Sequence, residues 1–122
     1  MPPLILVVED EPIVRRLACR QLEKAGFDTL AAASAAEATD ILDAGQIPEL
    51  LVLDVRLPDQ YGPEFALRIQ IRYPRTPVVF ISGWPDIETS RADLEPFHWL
   101  FLEKPFSGKV LVQAVRDLLA SR

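Results

Sequence analysis

Cysteine, histidine and long apolar runs are scarce in this 122-residue chain, and each scarcity excludes something. Cys19 is the one cysteine, so no internal disulfide can form, and that usage fits a reducing cytoplasm. It lies in a helical stretch with no adjacent His or Lys, and reads as a small packing residue rather than a reactive thiol. His98 is the one histidine, which rules out a multi-histidine metal centre and leaves no evident histidine phosphodonor; it reads as a surface or edge residue before a strand. No apolar run approaches the ~18–20 residues of a membrane helix. The opening Met1-Pro2-Pro3 lacks the basic and apolar regions of a signal peptide. Neither GxxxxGK[ST] nor GxGxxG occurs, so the glycine-rich phosphate cradles of nucleotide-binding modules are missing. There is no repeat, low-complexity tract or Gly/Ser linker. Basic excess is absent too: the net charge is −5, and an acidic surface repels nucleic-acid backbones.

What is present is an ordinary globular composition, 49% apolar and 25% charged, in a length that suits one domain. Apolar runs at Leu4–Val8, Leu50–Leu53, Val78–Ile81 and Trp99–Leu102, with a weaker one at Thr29–Ala32, read as strands. Such continuous runs suit strands buried on both faces of a parallel sheet. Amphipathic stretches alternate with them. Pro12 to Ala25 opens with proline and stops at Gly26. Ser34 caps a second helix that ends near Gly45. Pro63 to Tyr73 is a third, Pro85 to Leu94 a weaker fourth, and Ser107 caps a fifth. This (βα)5 alternation predicts an α/β, doubly wound, flavodoxin-like fold with strand order 2-1-3-4-5.

Four of the strands run directly into polar residues: Glu9-Asp10-Glu11, Asp54, Ser82, and Glu103-Lys104-Pro105. In a parallel sheet these ends share one edge, and strands 1 and 3 flank the crevice where the strand order reverses. Glu9, Asp10, Asp54, Ser82 and Lys104 are therefore expected to converge. Taken singly, each has a plain reading as a helix cap, a turn former, a loop residue or a solvated charge. Taken jointly, four strand ends supply complementary groups to one place. Clustered carboxylates repel, and an oxygen-rich set favours Mg²⁺, Ca²⁺ or Mn²⁺ over zinc. Lys104 adds a point charge and Ser82 a hydroxyl, which makes a socket for a phosphoryl group with Asp54 as nucleophile.

Four stretches, LILVVEDEP (4–12), LLVLDVRLPDQYG (50–62), VVFISG (78–83) and LEKPF (102–106), stand in an order and at spacings that resemble a bacterial two-component response-regulator receiver domain. The resemblance runs from Leu4 to Leu119, and the chain reads as one receiver domain over 1–122 with no effector domain. It implies that Asp54 is the phosphoacceptor. Asp10 would ligate Mg²⁺ (Mn²⁺ being an alternative) directly and Glu9 through water, with Asp54 and the Arg56 backbone carbonyl completing the set. Ser82 and Lys104 would bind phosphoryl oxygens, and the Lys104-Pro105 bond would be cis. Phe101 stands at the aromatic switch position. Phosphorylation would draw in Ser82, turn Phe101 inward and alter the face made by the fourth helix, fifth strand and fifth helix.

The implied partners are a sensor histidine kinase or histidine phosphotransfer protein and a downstream protein, with no nucleic acid or membrane; a homodimer is compatible with the fold. The implied role is a cytoplasmic phosphorelay signalling domain rather than an enzyme, although it assists its own phosphotransfer and dephosphorylation. Departures from the common pattern are Glu9 for aspartate, Phe101 for tyrosine, and bulky Arg56 and Trp84 flanking the site beside Pro105. Arg56 and Trp84 could stack and shield the acyl phosphate from water. A phosphatase using an aspartate nucleophile would need a second acid where Arg56 stands. A flavin phosphate would be repelled by the acidic first loop. A phosphorylation-independent interaction module of the same fold is the alternative, against which the complete acidic and lysine set argues.

Overall fold

The computed structural model describes residues 1–83 and 97–121. Five parallel strands, β1 (Leu4–Val8), β2 (Asp28–Ala32), β3 (Leu50–Asp54), β4 (Val78–Ser82) and β5 (Trp99–Glu103), form one sheet in the order β2-β1-β3-β4-β5. Four described helices cover it: α1 (Pro12–Lys24), α2 (Ala35–Asp43), α3 (Gly62–Arg72) and the C-terminal α4 (Gly108–Ala120). The helix expected over 85–94, and Trp84, lie outside the described residues. No described helix is long and apolar enough to cross a membrane.

Strand alternation divides the core into two layers. Ile5, Val7, Leu50, Val52, Val79 and Ile81 face α1 and α4, where Leu22, Leu111 and Val115 are fully buried. Leu6, Val8, Leu51, Leu53 and Phe80 face α2 and α3, where Leu42 and Phe65 are buried. Burial of both faces is what makes β1, β3 and β4 continuous apolar runs. The weaker run, β2, is an edge strand paired with β1 alone.

Helix boundaries follow the local signals. α1 begins at Pro12 and stops before Gly26, whose φ of 96° is reached cheaply by glycine. Ser34 and Ser107 each accept an N–H three residues on, capping α2 and α4 as their positions suggest. α3 starts one residue earlier than its proline implies, at Gly62, where the chain passes so close to β3 that a Cβ would overlap the Asp54 carbonyl oxygen.

Candidate functional site

The C-terminal edge of the sheet gathers its charges at β1, β3 and β5. The β3–β4 register sets Asp54 opposite Ile81, and that of β4–β5 sets Ser82 opposite Glu103, next to Lys104. The Lys104 N–H donates to the Ser82 carbonyl at 2.7 Å, which draws the β5–α4 loop onto the end of β4. The Lys104-Pro105 peptide is cis.

Asp54 is 5% exposed, Glu9 0% and Ser82 2%. Lys104 Nζ lies 2.8 Å from Asp54 Oδ2 and 2.9 Å from Glu11 Oε1, and it also pairs with Glu9 Oε1. Asp54 Oδ1 accepts the Arg56 N–H at 2.9 Å. One ammonium thus serves three carboxylates. Burial pushes the Glu9 carboxyl up to about 8, helped by Asp54 and only partly opposed by Lys104. Burial alone would lower the Lys104 ammonium, but Asp54, Glu9 and Glu11 together raise it above the ordinary lysine range. The lysine therefore stays charged throughout the physiological range.

Glu9, Glu11 and Asp54 each bring an oxygen within 4.8 Å of the others. Glu9 Oε1 is buried against the Lys104 ammonium. Three carboxylates converging on one crevice, one of them fully buried, make the oxygen-rich donor set that a hard divalent cation takes.

Asp10, the expected direct ligand, is exposed and is not among the three clustered acids. Immediately past β1 the chain buries Glu9 completely and leaves Asp10 and Glu11 exposed. Glu11, not singled out from the sequence, takes part because its longer side chain reaches Lys104. The available signal was the third consecutive acid in Glu9-Asp10-Glu11. Arg15 was also missed: its guanidinium donates to the carbonyls of Glu9 at 2.8 Å and Asp10 at 3.4 Å, bracing the acidic loop from the first turn of α1.

Phe101 is half-buried against the core layer that contains Phe80 and Phe97. The Arg56 side chain is exposed. His98 is a surface residue, as expected, with Nε2 2.8 Å from Ser121 Oγ. Cys19 is half-buried against the α1–α4 layer, and burial raises its thiol pKa, so it packs rather than reacts.

Comparison with known proteins agrees with this geometry. A family model described as the response regulator receiver domain matches residues 5–116. The response regulator protein PilR of Pseudomonas aeruginosa is 34% identical over 116 residues, which are 95% of this chain and 25% of that protein. The sensor kinase CckA of Brucella abortus is 32% identical over 94% of this chain and 12% of that kinase. The chain thus spans a quarter or less of these two relatives. The crystal structure of the receiver domain of NtrX from Brucella abortus superposes with a TM-score of 0.87 at 31% identity, covering 97% of this chain and 99% of that one.

Proposed function

This chain belongs to the response regulator receiver family, a family of signalling domains, and we propose that Asp54 is the residue that accepts the phosphoryl group. The observation that carries the assignment is the buried Asp54 carboxylate held between Lys104 Nζ and the Arg56 N–H, beside Glu9 and Glu11. A buried carboxylate fixed at both oxygens is oriented for in-line attack and shielded from competing water.

The donors fit Mg²⁺. Asp54, Glu9 through water, the Arg56 carbonyl and an acid of the first loop would hold it, Asp10 by family resemblance and Glu11 by placement in the cluster. When bound, the ion neutralises charge on the phosphoryl oxygens. The chain's own residues do the rest. The Asp54 carboxylate forms the new O–P bond as the N–P bond of a phosphohistidine breaks and the imidazole departs. The Lys104 ammonium, held near the attacking oxygen, offsets negative charge on the transferring group. The Ser82 hydroxyl, at the end of β4, would donate to a phosphoryl oxygen. Pro105 fixes the turn behind Lys104.

Phe101, half-buried at the centre of β5, is the residue whose packing would report the new charge on the outer face of the domain. Trp84, proposed to shield the site with Arg56, lies outside the described residues. The donor is a sensor histidine kinase or phosphotransfer protein, and the output is a protein partner of the switching face. The setting is cytoplasmic.

Intact mass after incubation with acetyl phosphate tests the assignment. One added phosphoryl group is expected on the wild type with Mg²⁺, and none without Mg²⁺ or in Asp54→Asn. An adduct persisting in Asp54→Asn would overturn it.

A further inference from the structure

The loop from Val55 to Tyr61 carries the Arg56 carbonyl and N–H, and its base is tightly closed. Gly62 N–H donates to the Val55 carbonyl at 2.6 Å, and Arg56 pairs with Tyr61 in an antiparallel bridge. Val55 and Leu57 are buried. At the tip, Gln60 is tied back to the loop base and to α3, its carbonyl accepting the Leu57 N–H at 3.2 Å and its Oε1 the Arg68 guanidinium at 2.9 Å, while Pro58 and Asp59 are exposed.

Asp59 at that tip reaches across to another element. Its Oδ1 accepts the Ala35 N–H at 3.0 Å and its Oδ2 the Ala36 N–H at 2.9 Å. These are two of the four N–H groups that open α2 without intrahelical partners. Ser34 serves a third locally: its hydroxyl accepts the Glu37 N–H, while its carbonyl takes the first intrahelical bond, from the Ala38 N–H. The cap is thus shared between a residue of the helix itself and one 23 to 24 residues away. Two charge-assisted bonds at a positive helix end hold a carboxylate firmly. Burial alone would raise the Asp59 carboxyl, but the N–H groups of Ala35, Ala36 and Asp59 together outweigh it and hold the carboxyl below its ordinary pKa.

The anchor point is itself tied to the site. Just before α2, the Ala32 carbonyl accepts the Glu9 N–H at 2.9 Å. The α2 entry therefore grips both the backbone at Glu9 and the loop that carries Arg56.

We propose that Asp59 is a positioning residue for the acidic site: it clamps the β3–α3 loop to the start of α2 and so sets the Arg56 backbone relative to Glu9 and Asp54. This rests on the reading that these residues bind Mg²⁺ and a phosphoryl group. Without the clamp the loop keeps its closed base but loses this tie to α2, and the Arg56 carbonyl and N–H are held less firmly relative to the carboxylates. A supporting hydrogen bond of this kind is worth about tenfold or more in metal affinity.

Calorimetric Mg²⁺ titration of wild type, Asp59→Ala, Asp59→Asn and Ser34→Ala tests the clamp, together with amide exchange at Arg56 in metal-free protein. Asp59→Ala is expected to weaken Mg²⁺ binding about tenfold and to speed Arg56 exchange. Asp59→Asn, which keeps one acceptor oxygen, falls between it and wild type and carries the test if the alanine variant does not fold. Ser34→Ala, which uncaps α2 without releasing the loop, lowers Tm but leaves the Mg²⁺ midpoint and Arg56 exchange as in wild type. Equal Mg²⁺ shifts in Asp59→Ala and Ser34→Ala, or no shift in Asp59→Ala, would overturn the clamp. A wild type that binds no Mg²⁺ would instead overturn the parent reading, and the clamp with it.

Discussion

The two ends of the sheet use similar residues to opposite effect. At the C-terminal edge, Lys104 is 11% exposed and pairs with carboxylates that are 7% and 0% exposed. At the N-terminal edge, Arg72 pairs with Asp43 at 2.7 Å, but their side chains are 41% and 60% exposed. Arg72 also lines an open groove with Ile47, Pro48, Glu49, Tyr73 and His98, which gathers no cluster of acids among the described residues. Concavity is therefore a poor guide to chemistry in this fold. A phosphoryl group needs only a few ångströms of dry, charged crevice, whereas a groove open to water screens every charge beside it.

Lys104→Ala breaks the comparison with the largest stability effect. It leaves Glu9 and Asp54 facing each other without a cation, and should cost about 3 kcal/mol at pH 8 without divalent ions, measured by denaturant unfolding. The loss should shrink when Mg²⁺ is present, because a second cation then serves the same oxygens.

A smaller effect follows from pH. The Glu9 carboxyl ordinarily titrates near 4.5 and is pushed up to about 8 in the fold. The folded state therefore binds the extra proton, and its stabilising contribution is complete below 4.5 and lost as pH rises through 8. Metal-free protein should lose on the order of 2 kcal/mol between pH 5 and pH 8, a slope that Mg²⁺ should flatten. A metal-free stability that rises over this window would contradict the placement of Glu9.

The smallest effect belongs to the other end. Arg72→Ala, at an exposed pair, should leave Tm unchanged within error in moderate salt. A clear drop would mean that the open groove holds its charges as tightly as the crevice does, and the contrast between the two ends would fail.

Much of the site was legible locally. Asp54, Ser82 and Lys104 each follow an apolar run, and the end of a buried parallel strand is where a polar side chain meets the crevice. Ser34 and Ser107 cap the helices that they precede, because capping needs only the next three residues. Choosing among Glu9, Asp10 and Glu11 was harder. Three adjacent acids look alike in sequence, and only the backbone direction at the end of β1 turns Glu9 inward and Asp10 to solvent. Asp59 gave no local sign at all, because its partners lie in α2.

The sequence by itself therefore determined the alternation of elements, the sheet order and the identity of the residues at the strand ends. Those depend on hydrophobic periodicity, helix stop signals and the handedness of crossovers, all of which act over short stretches of chain. Tertiary structure alone decided which acids share Lys104, how far Glu9 is shifted, and that α2 anchors the loop after β3. Those depend on burial and on hydrogen bonds between segments that meet only when the sheet closes, and desolvation there sets the charges in a way no local pattern can carry.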